Sequence, residues 1–261
     1  MEPAAAALRI LATALPEATL PPDVPHLGAA QARLAGGVPA LEGEPLLSGT
    51  TLLANIRHLA MAFGSAPSAV LSIAVALGDG LTDAELEQMA GAAQAGAWEW
   101  VTAVAVRLAL EPDTVVTLVD HAARPALRAG ARAVRDLVAQ SRWVRGTCPS
   151  CGSAPLLAEL RGGGARGDAE GERVLRCGRC LSGWSYPRLR CVGCGESDHG
   201  QLAYLHGTDQ AAFRRADVCS TCNTYLKSIA VLAPLSLTEL LATDLATSAL
   251  DLAAVERGFH R

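Results

Sequence analysis

The chain has 261 residues, half of them hydrophobic, so it can bury enough apolar surface to fold and is not intrinsically disordered. Aromatics make up 4% and alanine about a fifth, which calls for a core of Ala, Leu and Val in closely packed helices. A net charge of −4 and a pI near 5.9 argue against a polyanion-binding surface as the main role.

The first elements are short. A helix is expected near Ala4–Leu15, followed by an irregular wrap, because Pro16, Pro21, Pro22, Pro25, Pro39 and Pro45 break any longer helix. Glu2 and Arg9 are wrong for a secretory leader, and no run approaches the ~20 apolar residues of a membrane span, so a cytoplasmic protein without a membrane span is expected. From Gly49 to about Ser141 the pattern is helical. Leu52, Leu53, Ile56, Leu59, Ala60 and Phe63 recur at helical spacing. Thr82-Asp83-Ala84-Glu85 reads as a capping box that starts a long helix through Trp98 towards Leu108. Pro112-Asp113 opens another, which Pro125 should break before a last helix from Ala126 to Gln140.

Residues 146–227 differ in kind. Short β-like runs, Arg173–Arg176 and Gln201–Leu205, lie among glycines and cysteines. Helix returns at a second capping box, Ser236-Leu237-Thr238-Glu239. The expected fold class is α+β, with four parts. These are an α-helical domain over 1–145, a first four-cysteine module over 146–188, a second over 189–228, and a helical segment over 229–261 packing back on the body.

All eight cysteines fall in Cys-x-x-Cys pairs: Cys148/Cys151, Cys177/Cys180, Cys191/Cys194 and Cys219/Cys222. The first two pairs are 25 residues apart, the last two 24, and ten residues separate the halves. This is an internal repeat, and each unit supplies the four thiolates of a tetrahedral ion at zinc-ribbon or rubredoxin spacing. In a reducing compartment such pairs read as metal ligands rather than disulfides. Near-equal loops favour pairing within each half, although a cross-braced arrangement fits the spacing too. Zinc and mononuclear iron suit four thiolates equally. The residues after the second cysteines are Gly152, Leu181, Gly195 and Asn223. Three of them adopt positive φ readily and Leu181 does not, so the second knuckle is expected to be the least regular.

Several residues around the cysteines carry a family pattern. They are Cys148-Pro149-Ser150-Cys151-Gly152-Ser153 with Pro155, then Trp184, Arg188 and Arg190-Cys191, and finally Asp217 with Tyr225-Leu226-Lys227 after the last pair. The pattern spans about 80 residues and resembles FdhE, the formate dehydrogenase accessory family. The resemblance implies a cytoplasmic, non-enzymatic assembly factor whose partner is the catalytic subunit of an exported formate dehydrogenase. It also implies two rubredoxin-like mononuclear iron centres on Cys148, Cys151, Cys177, Cys180, Cys191, Cys194, Cys219 and Cys222, with zinc as the alternative. No nucleic-acid partner is expected. Two other readings fit the cysteines: a zinc-ribbon nucleic-acid binder, which the mixed charge of 146–227 disfavours, and a redox-regulated thiol chaperone.

Lys227 is the single lysine in the chain. It reads either as a positive charge beside a thiolate cluster or as an ordinary surface lysine. Tyr225 reads as a packing residue, with a partner contact or a cap on the metal site as alternatives. Trp98 and Trp100, two apart on a helix, should face different sides. None of the histidines, His58 and His121 on helices or His199 and His206 between knuckles, is needed as a ligand.

Overall fold

The structure, a computed structural model, describes residues 14–21, 23–62, 69–162, 171–206 and 213–261. The helix expected near Ala4–Leu15 lies almost wholly outside them, as does Phe63. The chain divides into two compact units, Met1–Gln140 and Ser141–Arg261.

The described part of the first unit is helical: α1 (Leu27–Ala35), α2 (Gly49–Ala62), α3 (Ala69–Gly80), α4 (Asp83–Ala95), α5 (Trp98–Arg107), α6 (Pro112–Ala133) and α7 (Arg135–Gln140). Thr82 does cap α4, accepting from the Glu85 amide while the Glu85 carboxylate takes the Thr82 amide. The long helix expected beyond it is two helices instead. Gly96 adopts a left-handed conformation with φ 73° and closes α4, and α5 restarts at Trp98. Trp98 and Trp100 are both half-buried rather than one in and one out.

Helix α6 departs from expectation in the opposite sense, because it runs straight through Pro125. The proline removes one amide, the partner of the His121 carbonyl. Burial on most sides of the helix outweighs that loss. Val115, Leu118, Val119, Ala122, Ala126 and Leu127 are all buried, and the small residues between them let neighbouring helices approach closely. Asn55 on α2 donates to the Ala122 carbonyl at 2.8 Å and fixes α2 against α6.

The second unit is a six-stranded sheet with two helices on one face. Its strands are β1 (Pro155–Arg161), β2 (Glu172–Cys177), β3 (Gly183–Ser185), β4 (Leu202–His206), β5 (Arg214–Cys219) and β6 (Tyr225–Val231), in the order β3-β2-β1-β6-β5-β4. Each cysteine module contributes three consecutive antiparallel strands. The modules join head to tail where β1 pairs in parallel with β6, Ala158 opposite Ser228 and Glu159 opposite Ile229. The two modules therefore share one continuous sheet. Helices α8 (Leu237–Ala246) and α9 (Ser248–Val255) pack on it, with Ser236 capping α8 in the expected box. Leu250 and Ala254 cover Ala216, Val218 and Tyr225, and Leu240 meets Leu157 and Ile229. Buried charges cross the sheet in pairs. Glu159 on β1 accepts from Arg176 and from the Leu235 amide, and Arg173 reaches Asp217 at 3.1 Å.

Candidate metal centre

The strand directions decide where the knuckles lie. β1 leaves the first knuckle and β2 runs into the second, so both sit at one end of that hairpin. β6 leaves the fourth knuckle parallel to β1, which places all four knuckles at the same end of the sheet. The approach is close. A Cβ on Gly146, two residues before Cys148, would stand 2.0 Å from the carbonyl oxygen of Val192, so only glycine fits there.

Each knuckle is a tight turn closed by backbone bonds. Cys148, Cys177, Cys191 and Cys219 donate their amides to the carbonyls of Ser153, Ser182, Glu196 and Thr224, at 2.8 to 3.0 Å. Such a turn needs positive φ just after the second cysteine. Gly152 (77°), Gly195 (79°) and Asn223 (55°) provide it, and so does Leu181 (67°). The second knuckle is thus as regular as the others. The turn imposes its geometry on a residue that disfavours it, at a cost of roughly 1 kcal/mol.

The turns gather the sulfurs into two sets: Cys148, Cys151, Cys177 and Cys180, then Cys191, Cys194, Cys219 and Cys222, each with all sulfurs within 4.8 Å of one another. Pairing is therefore within each half and not cross-braced. Cys148–Cys180 and Cys151–Cys177 are 3.5 Å apart, Cys191–Cys222 3.6 Å and Cys194–Cys219 3.8 Å. A disulfide would need about 2.05 Å. A tetrahedron with metal–sulfur bonds of about 2.3 Å has edges of about 3.8 Å, which these separations match. Each set could therefore hold one ion.

Within each set the surroundings shift the thiols in opposite directions, with Cys148, Cys180 and Cys194 raised and Cys151 and Cys191 lowered. Hydrogen bonding from the Cys148, Cys177 and Cys180 thiols draws Cys151 down, whereas burial pushes Cys148 up. Burial also opposes ionisation of Cys191, but the Cys194 amide, the Thr224 hydroxyl, the Cys222 thiol and the Gly193 amide outweigh it and bring the group to about 6. Filling either set must release the remaining thiol protons.

Residues 189–261 match the family model described as "FdhE, C-terminal domain". Among curated proteins, an FdhE homologue of Aquifex aeolicus is 36% identical over 119 residues, covering 45% of this chain and 40% of that protein. One from Pseudomonas aeruginosa is 39% identical over 122 residues, 45% of this chain and 38% of that protein. FdhE of Escherichia coli is 35% identical over 114 residues, 44% of this chain and 35% of that protein. Over this region the chain is similar to FdhE proteins. The aligned stretches span two-fifths or less of these relatives' own length. The crystal structure of the FdhE protein from Pseudomonas aeruginosa superimposes with a TM-score of 0.65 at 24% identity, over 98% of this chain and 82% of that one, and shares its fold.

Other residues that carry the resemblance fall into place around the sulfurs. Trp184 on β3 donates to the Arg145 carbonyl at 3.2 Å, and the Tyr186 hydroxyl donates to the Cys191 carbonyl at 2.8 Å, so the segment between the modules braces both. Asp217 accepts from Arg215 at 2.7 Å and Ser228 at 2.6 Å. Lys227 fits neither expectation. It is fully buried and pairs with Asp244 and Asp251 under the C-terminal helices rather than with a thiolate.

One set of residues was missed. The position two after the second cysteine holds Ser153, Ser182 and Thr224 in three knuckles. Their hydroxyls lie 3.4, 3.3 and 2.9 Å from the sulfurs of Cys151, Cys180 and Cys222. The fourth holds Glu196, whose carboxylate is turned to Thr221 and the amides of Ser197 and Asp198. The recurring offset was present in the sequence. The second set is also the more open: Cys194 is exposed, whereas no cysteine of the first set is.

Proposed function

We propose that this chain is a non-catalytic accessory factor for the assembly of respiratory formate dehydrogenase, acting in the cytoplasm on the catalytic subunit before its export. The observation that carries the reading is the match of residues 189–261 to the FdhE domain on a sheet that bears two complete four-sulfur sets. Among the described residues no helix is long and apolar enough to cross a membrane, which is compatible with that role.

Cys148, Cys151, Cys177 and Cys180 would hold one mononuclear ion, and Cys191, Cys194, Cys219 and Cys222 the other. The donor set fits iron, the metal we favour, and fits zinc as well. Iron would supply a one-electron centre and zinc a redox-inert cross-link. In either case the protein's part is the same. The knuckle amides and hydroxyls orient the sulfurs and stabilise their charge.

Co-purification with a tagged formate dehydrogenase catalytic subunit, with deletion of this chain's gene in parallel, tests the assembly role. Recovery of that subunit and loss of formate oxidation are expected. No recovery together with unimpaired oxidation would overturn the reading. The visible spectrum of protein purified without air tests the metal: a colourless protein with two zinc ions per chain rules iron out.

A further inference from the structure

The second sulfur set has one corner that the fold leaves open. Cys194 is exposed, while Cys191 and Cys219 are buried and Cys222 is half-buried. The cause is local. Cys194 stands between Gly193 and Gly195, whereas the second cysteine of the other knuckles follows Ser150, Arg179 or Thr221. Gly193 has no room for a side chain, because a Cβ there would come 2.7 Å from the Thr224 hydroxyl. Gly195 has φ 79°, which disfavours any other residue. Neither chain neighbour therefore supplies a side chain that covers Cys194.

One cation stands beside this corner. Arg190 donates Nε to the Gly195 carbonyl at 3.1 Å, and its Nη2 lies 3.5 Å from where a Gly195 Cβ would be. Among the described residues no carboxylate pairs with Arg190. The acid next along the chain, Glu196, is turned to Thr221 and to the amides of Ser197 and Asp198. An incoming ligand thus meets an open sulfur and an uncompensated guanidinium. The guanidinium favours an anion, and a four-sulfur site selects a metal that takes soft donors. We propose that Cys194 is the displaceable ligand of the second set, and that an external anionic thiolate takes its place with Arg190 alongside. The inference rests on the metal reading above. Sites with every ligand enclosed are structural, whereas ligand-binding sites keep a position open. Cys194 gives up its place and takes the proton that the incoming thiol releases, so four sulfurs remain around the ion and no electron moves. Four thiolates outweigh the charge of the ion, and Arg190 offsets the repulsion that a further thiolate would feel. Cys191, Cys219 and Cys222 keep their places. The first set has no exposed cysteine and no such corner.

Native mass spectrometry of the full, metal-loaded chain, kept without air, tests it. Mercaptopropionate should add one thiol per chain with both ions retained, and should add more readily than cysteamine, a cationic thiol. Arg190→Gln should weaken the uptake several-fold and cancel the preference between the two thiols. Cys194→Gly should lose affinity for the second ion and regain it in mercaptopropionate. Cys219→Gly, which removes a buried ligand, should not be rescued. If the glycine variants do not fold, uptake by the unaltered chain decides. A short peptide with one cysteine separates the sources of the thiolate: tighter uptake than mercaptopropionate places it on a protein, weaker uptake among small thiols. Two retained ions with no thiol taken up, loss of an ion instead of uptake, or equal uptake of both thiols by the unaltered chain would each overturn the inference alone. A chain that holds no ion in the second set before thiol is added would overturn the metal reading and the inference with it.

Discussion

Nζ of Lys227 on β6 lies 2.7 Å from Oδ2 of Asp251 on α9. It also lies 2.6 Å from Asp244 of α8, and the Tyr225 hydroxyl donates to the other Asp251 oxygen at 2.9 Å. One fully buried ammonium thus ties both C-terminal helices to the sheet. Lys227→Met keeps the apolar stem but removes the ammonium from two largely buried carboxylates, leaving Asp244 to Arg261 and Asp251 to the Tyr225 hydroxyl. It should cost the second unit roughly 3–5 kcal/mol. Adding Asp251→Asn should return part of that loss, because Asp251 is the carboxylate left without a close cation, whereas Asp244 keeps Arg261. Denaturant unfolding of the metal-loaded protein measures both, and a Lys227→Met loss below about 1 kcal/mol would show the network to be idle.

The arrangement around Lys227 illustrates where sequence reading stopped. Thr82 and Ser236 were legible as caps because a capping box is local, four residues long and chemically self-contained. The two four-sulfur sets were legible because their spacing repeats. Lys227 was not, because its partners lie 17 and 24 residues away on helices whose docking the sequence does not specify. The parallel β1–β6 joint was hidden for the same reason, as it links strands that begin 70 residues apart. The positive φ of Leu181 is not legible locally, because the knuckle overrides the preference of leucine. Continuation of the helix through Pro125 is not legible either, because tertiary burial outweighs one missing helix bond.

Pairing within each half makes the metal content of cysteine variants predictable. Cys148→Ser should lower binding from two ions per chain to one, and adding Cys180→Ser should take away nothing more, since both ligands serve the same set. Combining Cys148→Ser with Cys219→Ser should leave no tightly bound ion. Metal analysis after gel filtration reads all three. If Cys148→Ser and Cys180→Ser together empty both sites, the sets are not independent.

His121 makes a prediction about acid stability. Its pKa falls from 6.5 to about 3 on folding, mainly through burial and then through Arg124. The folded protein therefore binds fewer protons than the unfolded chain between those values. The contribution of His121 is complete above about pH 6.5, and it is lost as the pH drops from there towards 3. The slope should approach 1.4 kcal/mol per pH unit. His121→Gln should flatten that part of the stability profile in chloride buffer. Parallel profiles for the two proteins between pH 7 and 5 would refute it.

The two metal sets should also differ in how readily they are emptied. In the first set, Ser153 and Ser182 place hydroxyls beside the sulfurs, and no cysteine is exposed. In the second, Cys194 faces solvent, and Glu196 stands where the other knuckles have a hydroxyl. A chelator or peroxide reaches an exposed sulfur directly, and Cys194 has the Glu196 amide but no hydroxyl beside it. Metal should therefore leave in two kinetic phases, the fast one belonging to the second set. Cys191→Ser identifies that phase, because it should abolish the fast release and leave the slow one unchanged. Glu196→Ser supplies the missing hydroxyl and should slow the fast phase several-fold without altering the two-ion content. A single phase for the unaltered protein, or a fast phase that survives Cys191→Ser, would mean that exposure of Cys194 does not govern release.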